Sequence, residues 1–176
     1  PETYTTFEAF MHHDRSFNGR IVFPVRDITG KVVAFNGRHM TMTERPKYLI
    51  YPPQAVLPLY PSNVSPIKGR AILVEGIFDM LNLYDKGLQN AICCFGTNNV
   101  DKDKLSILKM QNVVGVDIMF DGDDAGQKAA ENIKTLAEGI GLITRNINLG
   151  QNIDPGSLGI EQVKNLRERL YENSIN

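Results

Sequence analysis

Ile72-Leu73-Val74-Glu75-Gly76 is an apolar run that stops at an acid, and Asp79 follows four residues after Glu75. A second run of this kind, Ile118-Met119-Phe120-Asp121-Gly122-Asp123, ends in two acids. In an open α/β sheet, ligands bind beyond the carboxyl ends of the strands. Acids at those ends indicate a site for a hard divalent cation, because Mg²⁺ prefers oxygen ligands and takes one or two carboxylates together with substrate phosphates.

The sequence around these two runs alternates short β-like segments with helical ones. It predicts strands over 70–75, 91–95, 113–120 and 142–149, and helices over 78–86, 101–110, 125–140 and 160–171. Strand and helix alternation at this spacing is typical of an α/β fold, with a mostly parallel sheet and helices on both faces.

The first part of the chain has a different pattern. Residues 7–13 form a predicted short helix, and the β-branched runs Arg20–Arg26 and Lys31–Asn36 flank a turn, which predicts a hairpin. Residues 38–51 are predicted to be extended, and a proline-rich connector follows. We therefore predict a smaller α+β basic subdomain over 1–69, a sheet domain over 70–156 and a C-terminal helical segment over 157–176.

Composition limits the class of protein. The chain has 176 residues, of which 42% are apolar, so it buries a real core. It contains no apolar run near the length of a membrane span and no recognisable secretory signal, so we expect no membrane association. Cys93 and Cys94 lie in an apolar stretch and are interpreted as buried strand residues in the reducing cytoplasm of a bacterial or infected host cell.

Charge is distributed unevenly along the chain. Residues 1–70 carry a balance of +4 and residues 71–176 a balance of −5, which together give the net charge of −1. Such asymmetry favours a basic surface next to an acidic site, although ordinary surface charge explains it equally well.

Five acids are predicted to gather at the carboxyl ends of the strands, and cations are needed to offset their repulsion. These acids are Glu75, Asp79, Asp121, Asp123 and Asp154. Each has a simpler alternative: a glutamate after a strand often only caps a helix, and Asp-Gly-Asp also occurs in plain turns. We assign Asp124 to capping of the helix that follows it.

The ordered set Glu-Gly-x-x-Asp and Phe-Asp-Gly-Asp resembles the Toprim domain of primases, topoisomerases and some nucleases. The upstream region resembles the bacterial replicative primase of the DnaG type more closely. The motifs that carry this resemblance are Gly19–Asp27, Gly30–Arg38, Pro46–Leu49, Val74–Asp79, Phe95–Thr97 and Asp121–Gly126. They occur in the order of that family and extend over most of the chain.

The resemblance implies a metal-dependent polymerase core that makes short RNA primers on single-stranded DNA from ribonucleoside triphosphates. It assigns catalysis and Mg²⁺ or Mn²⁺ binding to Glu75, Asp121 and Asp123, with Asp79 and Asp154 completing the metal site. It further implies that nucleotide or template phosphates are held by five residues of the matching motifs: Arg38, Lys47, Arg26, Gly96 and Thr97. Arg38 is the stronger candidate of the first two, because a guanidinium can bind phosphate through two donors.

The sequence also departs from this family. Gly156 stands where a further aspartate is usual, and Ile50 where an asparagine often follows. The stretch after Pro52 is shortened, which suggests a phage or mobile-element primase. We find no Cys/His zinc module and no phosphate loop of a helicase motor, so we expect a zinc-binding module and a replicative helicase as partners, in the same full-length chain or a separate one.

Two other functions remain open at this point. A Toprim nuclease would use the same acids to hydrolyse a phosphodiester, but it gives no role to the region from Arg20 to Leu49. A non-catalytic nucleic-acid-binding fragment of a primase-helicase is the second alternative.

Overall fold

The computed structural model describes residues 2–12, 16–41, 43 and 45–172. The chain divides into two compact units, the first ending at Pro58 and the second beginning at Leu59.

The first unit is built on an antiparallel sheet. Its elements are helix α1 (Glu2–Thr6) and strands β1 (Phe10–Met11), β2 (Arg20–Arg26), β3 (Val32–His39) and β4 (Tyr48–Tyr51), in the sheet order β1-β2-β3-β4. The predicted β2–β3 hairpin is confirmed. Its turn is fixed by Asp27, whose Oδ1 accepts the N–H groups of Thr29 at 2.8 Å and Lys31 at 3.1 Å.

The helix predicted over 7–13 is wrong within the described residues, and His13 lies outside them. The helix ends at Thr6, and the backbone of Glu8 has a φ of 52°, which turns the chain. Phe10 then pairs with Val22 as an edge strand. Tertiary pairing with β2 therefore overrides the weak local preference for a helix.

The second unit is built on a parallel sheet flanked by helices. Its strands are β5 (Arg70–Val74), β6 (Ala91–Cys93), β7 (Gly115–Ile118) and β8 (Ile143–Asn146), in the order β6-β5-β7-β8. Its helices are α2 (Ile77–Asp85), α3 (Lys102–Met110), α4 (Asp124–Glu138) and α5 (Ile160–Arg167); short helical turns span Thr97–Asn99, Pro155–Ser157 and Glu168–Glu172. The α/β prediction is confirmed.

Strand β5 lies between two parallel partners. Leu73 pairs with Ile92 of β6 on one side and with Ile118 of β7 on the other. The three strands point the same way, so the residues that follow β5, β6 and β7 emerge at one edge of the sheet. The centre of this sheet is apolar and fully buried, as the β5 residues from Ala71 to Val74 show with exposures of 0%.

The observed division between the units lies before the predicted boundary at 69/70. Leu59 and Tyr60 are both 5% exposed and belong to the second unit. Tyr60 exchanges two backbone hydrogen bonds with Cys93, at 2.9 and 2.7 Å, and so covers the edge of β6. Gln111 binds the same segment, since its side chain hydrogen-bonds the backbone of Ser62. Contacts between residues distant in sequence therefore set the boundary between Pro58 and Leu59. The prolines of this stretch predicted an irregular connector and gave no sign of these contacts.

The C-terminal helical segment packs onto the rest of the second unit. Val163, Leu166, Leu170 and Tyr171 are all buried. Within the described residues, no helix combines the length and the apolar character that a membrane crossing needs.

Candidate active site

The first acidic pair lies where β5 passes into α2. Glu75 follows the last residue of β5, and its carbonyl accepts the N–H of Gly96 at 3.1 Å. Asp79 lies in the first turn of α2, where its Oδ2 accepts the N–H of Gly76 at 3.0 Å. An acid at this position binds a free backbone donor and interacts favourably with the helix dipole. The capping role considered for a glutamate at the end of the strand therefore belongs to Asp79.

Burial and neighbouring carboxylates raise the pKa of both acids. Burial is the largest cause for Asp79 and raises its pKa to about 6, with further contributions from Asp121, Asp154 and Glu75. Burial also comes first for Glu75, followed by the charges of Asp121 and Asp123. Like charges raise one another's pKa in this way only when they lie close together. The five predicted acids thus belong to one electrostatic cluster, which we call the acidic cluster.

Asp123 has a second role that the sequence did not reveal. It is the N-cap of α4, and its Oδ1 accepts the N–H of Gly126 at 2.7 Å. Its extended backbone, with φ of −88° and ψ of 169°, is the usual conformation of a capping residue. The assignment of Asp124 as the cap is therefore wrong, because Asp124 is already the first helical residue.

Two glycines bring the backbone segments of the cluster into close contact. A Cβ added to Gly122 would lie 1.8 Å from the carbonyl oxygen of Gly150, and the N–H of Gly122 donates to the carbonyl of Ile153 at 3.1 Å. A Cβ added to Gly126 would lie 2.4 Å from the carbonyl oxygen of Asp121. The requirement at Gly122 is space for the chain that carries Asp154.

Gly156 borders two acids of the cluster. A Cβ added there would lie 2.6 Å from Oδ1 of Asp79 and 3.0 Å from Oδ1 of Asp154. The residue that replaces the expected aspartate therefore lies beside the acidic cluster, and its lack of a side chain leaves room for these two carboxylates.

The donor chemistry of the cluster fits a hydrated divalent cation. Its side chains offer carboxylate oxygen, the ligand type preferred by Mg²⁺ and Mn²⁺. Among the residues that the structure describes, no three His, Cys, Asp or Glu side chains already form a set that could hold a metal ion. Mg²⁺ keeps several of its waters when it binds proteins, so a site of one or two direct carboxylates does not need such a set.

The predicted nucleotide residues Gly96 and Thr97 follow β6 at the same sheet edge as Glu75. Gly96 has a φ of 103°, and a Cβ added to it would meet nothing within 4 Å. Thr97 begins a short helical turn that ends at Asn99. Lys104 of α3 stabilises this turn, because its Nζ donates to the carbonyl oxygen of Asn99 at 2.7 Å and to Oδ1 of Asn99 at 2.8 Å.

The two main basic candidates of the first unit share an aromatic neighbour. Arg38 and Tyr48 are paired residues of β3 and β4. The guanidinium of Arg38 donates to the Tyr48 hydroxyl and lies 4.8 Å from the centre of its ring. Nζ of Lys47 lies 5.6 Å from the same ring centre. We call Arg38 and Lys47 the basic pair. Tyr48 is the aromatic side chain that both contact.

Arg26, the third basic candidate, is engaged elsewhere. Its guanidinium forms a two-point ion pair with Glu8, with N–O distances of 2.8 and 3.0 Å, and donates to the carbonyl of Gly30 at 2.9 Å. Its predicted role in template binding stays a prediction.

Sequence reasoning missed Arg20, which is only 5% exposed. Its guanidinium donates to three backbone carbonyls: those of Pro46 at 2.7 Å, Lys47 at 3.3 Å and Gly37 at 3.3 Å. A side chain whose partners are all backbone atoms leaves no pattern in the sequence.

Asp117 was missed as well, although a charged residue inside an apolar strand is a visible signal. It is fully buried in β7 and forms ion pairs with Arg70 and Arg145, each at 2.6 Å. The hydroxyl of Tyr171 donates to its Oδ2 at 2.9 Å and accepts from Asn90. Burial by itself would raise the pKa of Asp117, but the hydrogen bonds from Arg145 and Arg70 outweigh it and hold the pKa below its usual value. This group stabilises the sheet and anchors the C-terminal segment.

Two family models match the chain. Residues 5–56 match the N-terminal domain of the DNA primase catalytic core, and residues 72–158 match a Toprim-like domain. The first match lies within the first unit and the second match within the second unit.

Two curated relatives are bacterial DNA primases. The DNA primase of Aquifex aeolicus is 32% identical over 166 residues, which cover 90% of this chain and 33% of the relative. The DNA primase of Clostridium acetobutylicum is 32% identical over 170 residues, or 93% of this chain and 28% of the relative. The chain thus spans a third or less of the length of these relatives.

Solved structures agree with both matches. The Aquifex aeolicus primase, with its zinc binding and RNA polymerase domains, superposes with a TM-score of 0.73 at 27% identity, covering 96% of this chain and 45% of that one. A DnaG primase catalytic domain bound to single-stranded DNA superposes with a TM-score of 0.71 at 28% identity, covering 96% of this chain and 59% of that one. The E. coli primase catalytic core gives 0.69 at 26% identity, also covering 96% and 59%. None of these comparisons tests the predicted phage or mobile-element origin, which stays a prediction.

Proposed function

Because the chain belongs to the DnaG-type DNA primase family, joining the N-terminal domain of the primase catalytic core to a Toprim-like domain, we propose that it acts as a primer-synthesising RNA polymerase core. It would join ribonucleoside triphosphates into short RNA on a single-stranded DNA template. The observation that supports this most directly is the acidic cluster at the carboxyl edge of the parallel sheet, where burial first and the neighbouring carboxylates second raise the pKa of Glu75 and Asp79.

The metal would be Mg²⁺ or Mn²⁺, held by Glu75, Asp121 and Asp123, with Asp79 and Asp154 completing its surroundings. A cation bound there supplies positive charge to the attacking and leaving oxygens of phosphoryl transfer. The carboxylates keep that cation at the sheet edge.

The cationic side chains of the first unit have a complementary role. Arg38 and Lys47 would bind triphosphate or template phosphates, the former with a planar fork and the latter as a point charge. Gly96 and Thr97 would contact the nucleotide close to Glu75, since Gly96 leaves open space for a ligand to approach the backbone. Arg38 and Lys47 belong to the first unit, and Gly96 and Thr97 belong to the second.

The rival nuclease function uses only the acids. The match of residues 5–56 to the primase N-terminal domain supports synthesis over hydrolysis, since that region resembles primases and has no assigned role in a nuclease. A helicase and a zinc-binding module remain proposed partners. The solved Aquifex aeolicus primase carries zinc binding and RNA polymerase domains.

The test is a primer-synthesis assay with the chain, single-stranded DNA, labelled ribonucleotides and Mg²⁺ or Mn²⁺. Labelled oligoribonucleotides should form with the wild type and disappear with Asp121→Asn. Asp124→Asn is the matched control, because Asp124 is a neighbouring exposed acid outside the cluster, and it should retain synthesis. Nicked DNA without RNA product would favour the nuclease, and binding without either product would favour the non-catalytic fragment.

A further inference from the structure

The edge strand β4 carries the tyrosine that both members of the basic pair contact. We propose that Tyr48 is a positioning residue, which holds Arg38 and Lys47 together as one phosphate-binding unit, and that Arg20 fixes the backbone from which this unit projects. The inference deepens the proposed function, because it rests on Arg38 and Lys47 binding phosphate.

Tyr48 contacts the pair through two different interactions. Its hydroxyl accepts a hydrogen bond from Arg38, which fixes the direction of the guanidinium. Its ring attracts both cations, with Cζ of Arg38 at 4.8 Å and Nζ of Lys47 at 5.6 Å from the ring centre. Both distances fall inside the range of about 6 Å over which cation–π attraction acts. One side chain therefore contacts two long cationic ones.

Electrostatics explains what such a unit would bind. Two cations near one ring repel each other, and the negative face of the ring offsets only part of that repulsion. A phosphate group bound beside them interacts favourably with both cations. Ordering the two side chains before the ligand arrives also reduces the conformational entropy that is lost on binding. Preorganised cations of this kind suit a phosphate group.

Arg20 supports the same unit from the other face of the sheet. It lies over Gly37, where an added Cβ would meet Cδ of Arg20 at 3.2 Å. Because side chains alternate along a strand, Arg38 leaves β3 on the opposite face. From its own face, Arg20 reaches past the end of β4 and donates to the carbonyls of Pro46 and Lys47. It thus attaches the segment that carries Lys47 to the strand that carries Arg38.

The experiment measures binding of two probes to the full chain, a fluorescent oligothymidylate and ATP with Mg²⁺. Tyr48→Leu removes both interactions and should weaken binding roughly 5- to 30-fold, as expected for losing about 1–2 kcal/mol. Tyr48→Phe keeps the ring but loses the hydroxyl, so its binding affinity should lie between those of the wild type and Tyr48→Leu. Tyr51→Leu is the matched control, because Tyr51 lies in the same strand and is 58% exposed. It should bind as the wild type does.

A double-mutant cycle separates positioning from plain structural support. If Tyr48 acts through Arg38 and Lys47, then Tyr48→Leu should weaken binding more in the wild type than in an Arg38→Ala background, where only the Lys47 contact remains to be lost. Melting temperatures of all variants show that each is folded. Arg20→Lys, which keeps the charge but not the planar fork, should weaken binding in the wild type and add little in a Lys47→Ala background.

The outcomes are distinct. Equal weakening by Tyr48→Leu in both backgrounds, or unchanged binding by Tyr48→Leu while Arg38→Ala binds weakly, would overturn the inference and leave the proposed function standing. Wild-type binding by both Arg38→Ala and Lys47→Ala would overturn the inference together with the phosphate-binding part of the proposed function.

Discussion

Oδ1 of Asp123 accepts the backbone N–H of Gly126 at 2.7 Å, so one carboxylate both caps helix α4 and belongs to the acidic cluster. The two roles differ in what they need. Capping needs an oxygen acceptor, whereas metal binding needs a negative charge.

Substitutions at Asp123 should separate these roles. Asp123→Asn keeps an oxygen acceptor for Gly126, so we expect wild-type stability in urea but a smaller rise in melting temperature with Mn²⁺. Asp123→Ala loses both functions and should lower the free energy of unfolding by about 1 kcal/mol. If Asp123→Asn retains the full Mn²⁺ effect, then Asp123 is a cap and not a metal ligand.

Metal binding at the acidic cluster should stabilise the protein. Mg²⁺ or Mn²⁺ that binds only the folded state raises its melting temperature in proportion to the logarithm of cation concentration. Glu75→Gln combined with Asp121→Asn should abolish this rise, as thermal unfolding would show. Asp124→Asn is the control, because it makes the same chemical change at an exposed acid outside the cluster, and it should keep the rise. An unchanged rise in the double variant would place the metal elsewhere.

The pKa of Asp79 predicts how pH acts on the metal-free and metal-bound protein. Its pKa is raised to about 6 in the folded state, from an ordinary 3.8. A raised carboxyl pKa favours the folded state at low pH, and this contribution is lost as pH rises from about 4 through about 6. The metal-free protein should therefore lose stability over that range.

The cation competes with the same proton, so Mn²⁺ affinity should increase as pH rises through about 6. Asp79→Asn should flatten both pH profiles, measured by urea unfolding and by Mn²⁺ titration. Persistence of the full inflection in Asp79→Asn would assign it to another acid of the cluster.

Gly156 offers a test of the missing aspartate. A side chain at this position starts 2.6 Å from Oδ1 of Asp79, so Gly156→Asp has to displace a neighbouring carboxylate and adds a like charge. We expect lower stability without metal and a larger rise in melting temperature with Mn²⁺. Gly156→Asn introduces a side chain of similar size without the charge. It should lower stability without metal but should not enlarge the rise in melting temperature with Mn²⁺. Identical Mn²⁺ responses in the two variants would contradict the electrostatic explanation.

The buried Asp117 group should make the protein sensitive to acid. Removing the charge in Asp117→Asn leaves two arginines without their partner and should cost about 3–5 kcal/mol of unfolding free energy. The pKa of Asp117 is lowered in the folded state, so its contribution is present at neutral pH and is lost as pH falls below the ordinary carboxyl range. Urea unfolding at several pH values measures both the loss of stability in Asp117→Asn and the loss of stability at low pH.

The exposed ion pair of Glu8 and Arg26 is the control for that experiment. Its geometry is similar, with two N–O contacts, but both side chains are solvated. Glu8→Gln should barely change stability, because exposed pairs are screened by water and salt. A loss comparable to that of Asp117→Asn would show that burial is not the source of the difference.

The sequence by itself determined the βα alternation, the β2–β3 hairpin and the placement of Glu75 and Asp121 after buried strands. These features depend on local patterns, namely apolar runs of strand length and the residues that end them. Parallel strands then bring those ends to one edge whatever the details of packing, which is why the acidic cluster was predictable.

Only the tertiary structure decided the roles that depend on atoms distant in sequence. Arg20 binds backbone carbonyls, Asp117 gathers two arginines and a tyrosine, and Tyr60 pairs with Cys93 to move the boundary between the units. Asp123 rather than Asp124 caps α4, because the cap depends on where the backbone turns into the helix. Such roles follow from distance and direction in space, which composition and spacing do not encode.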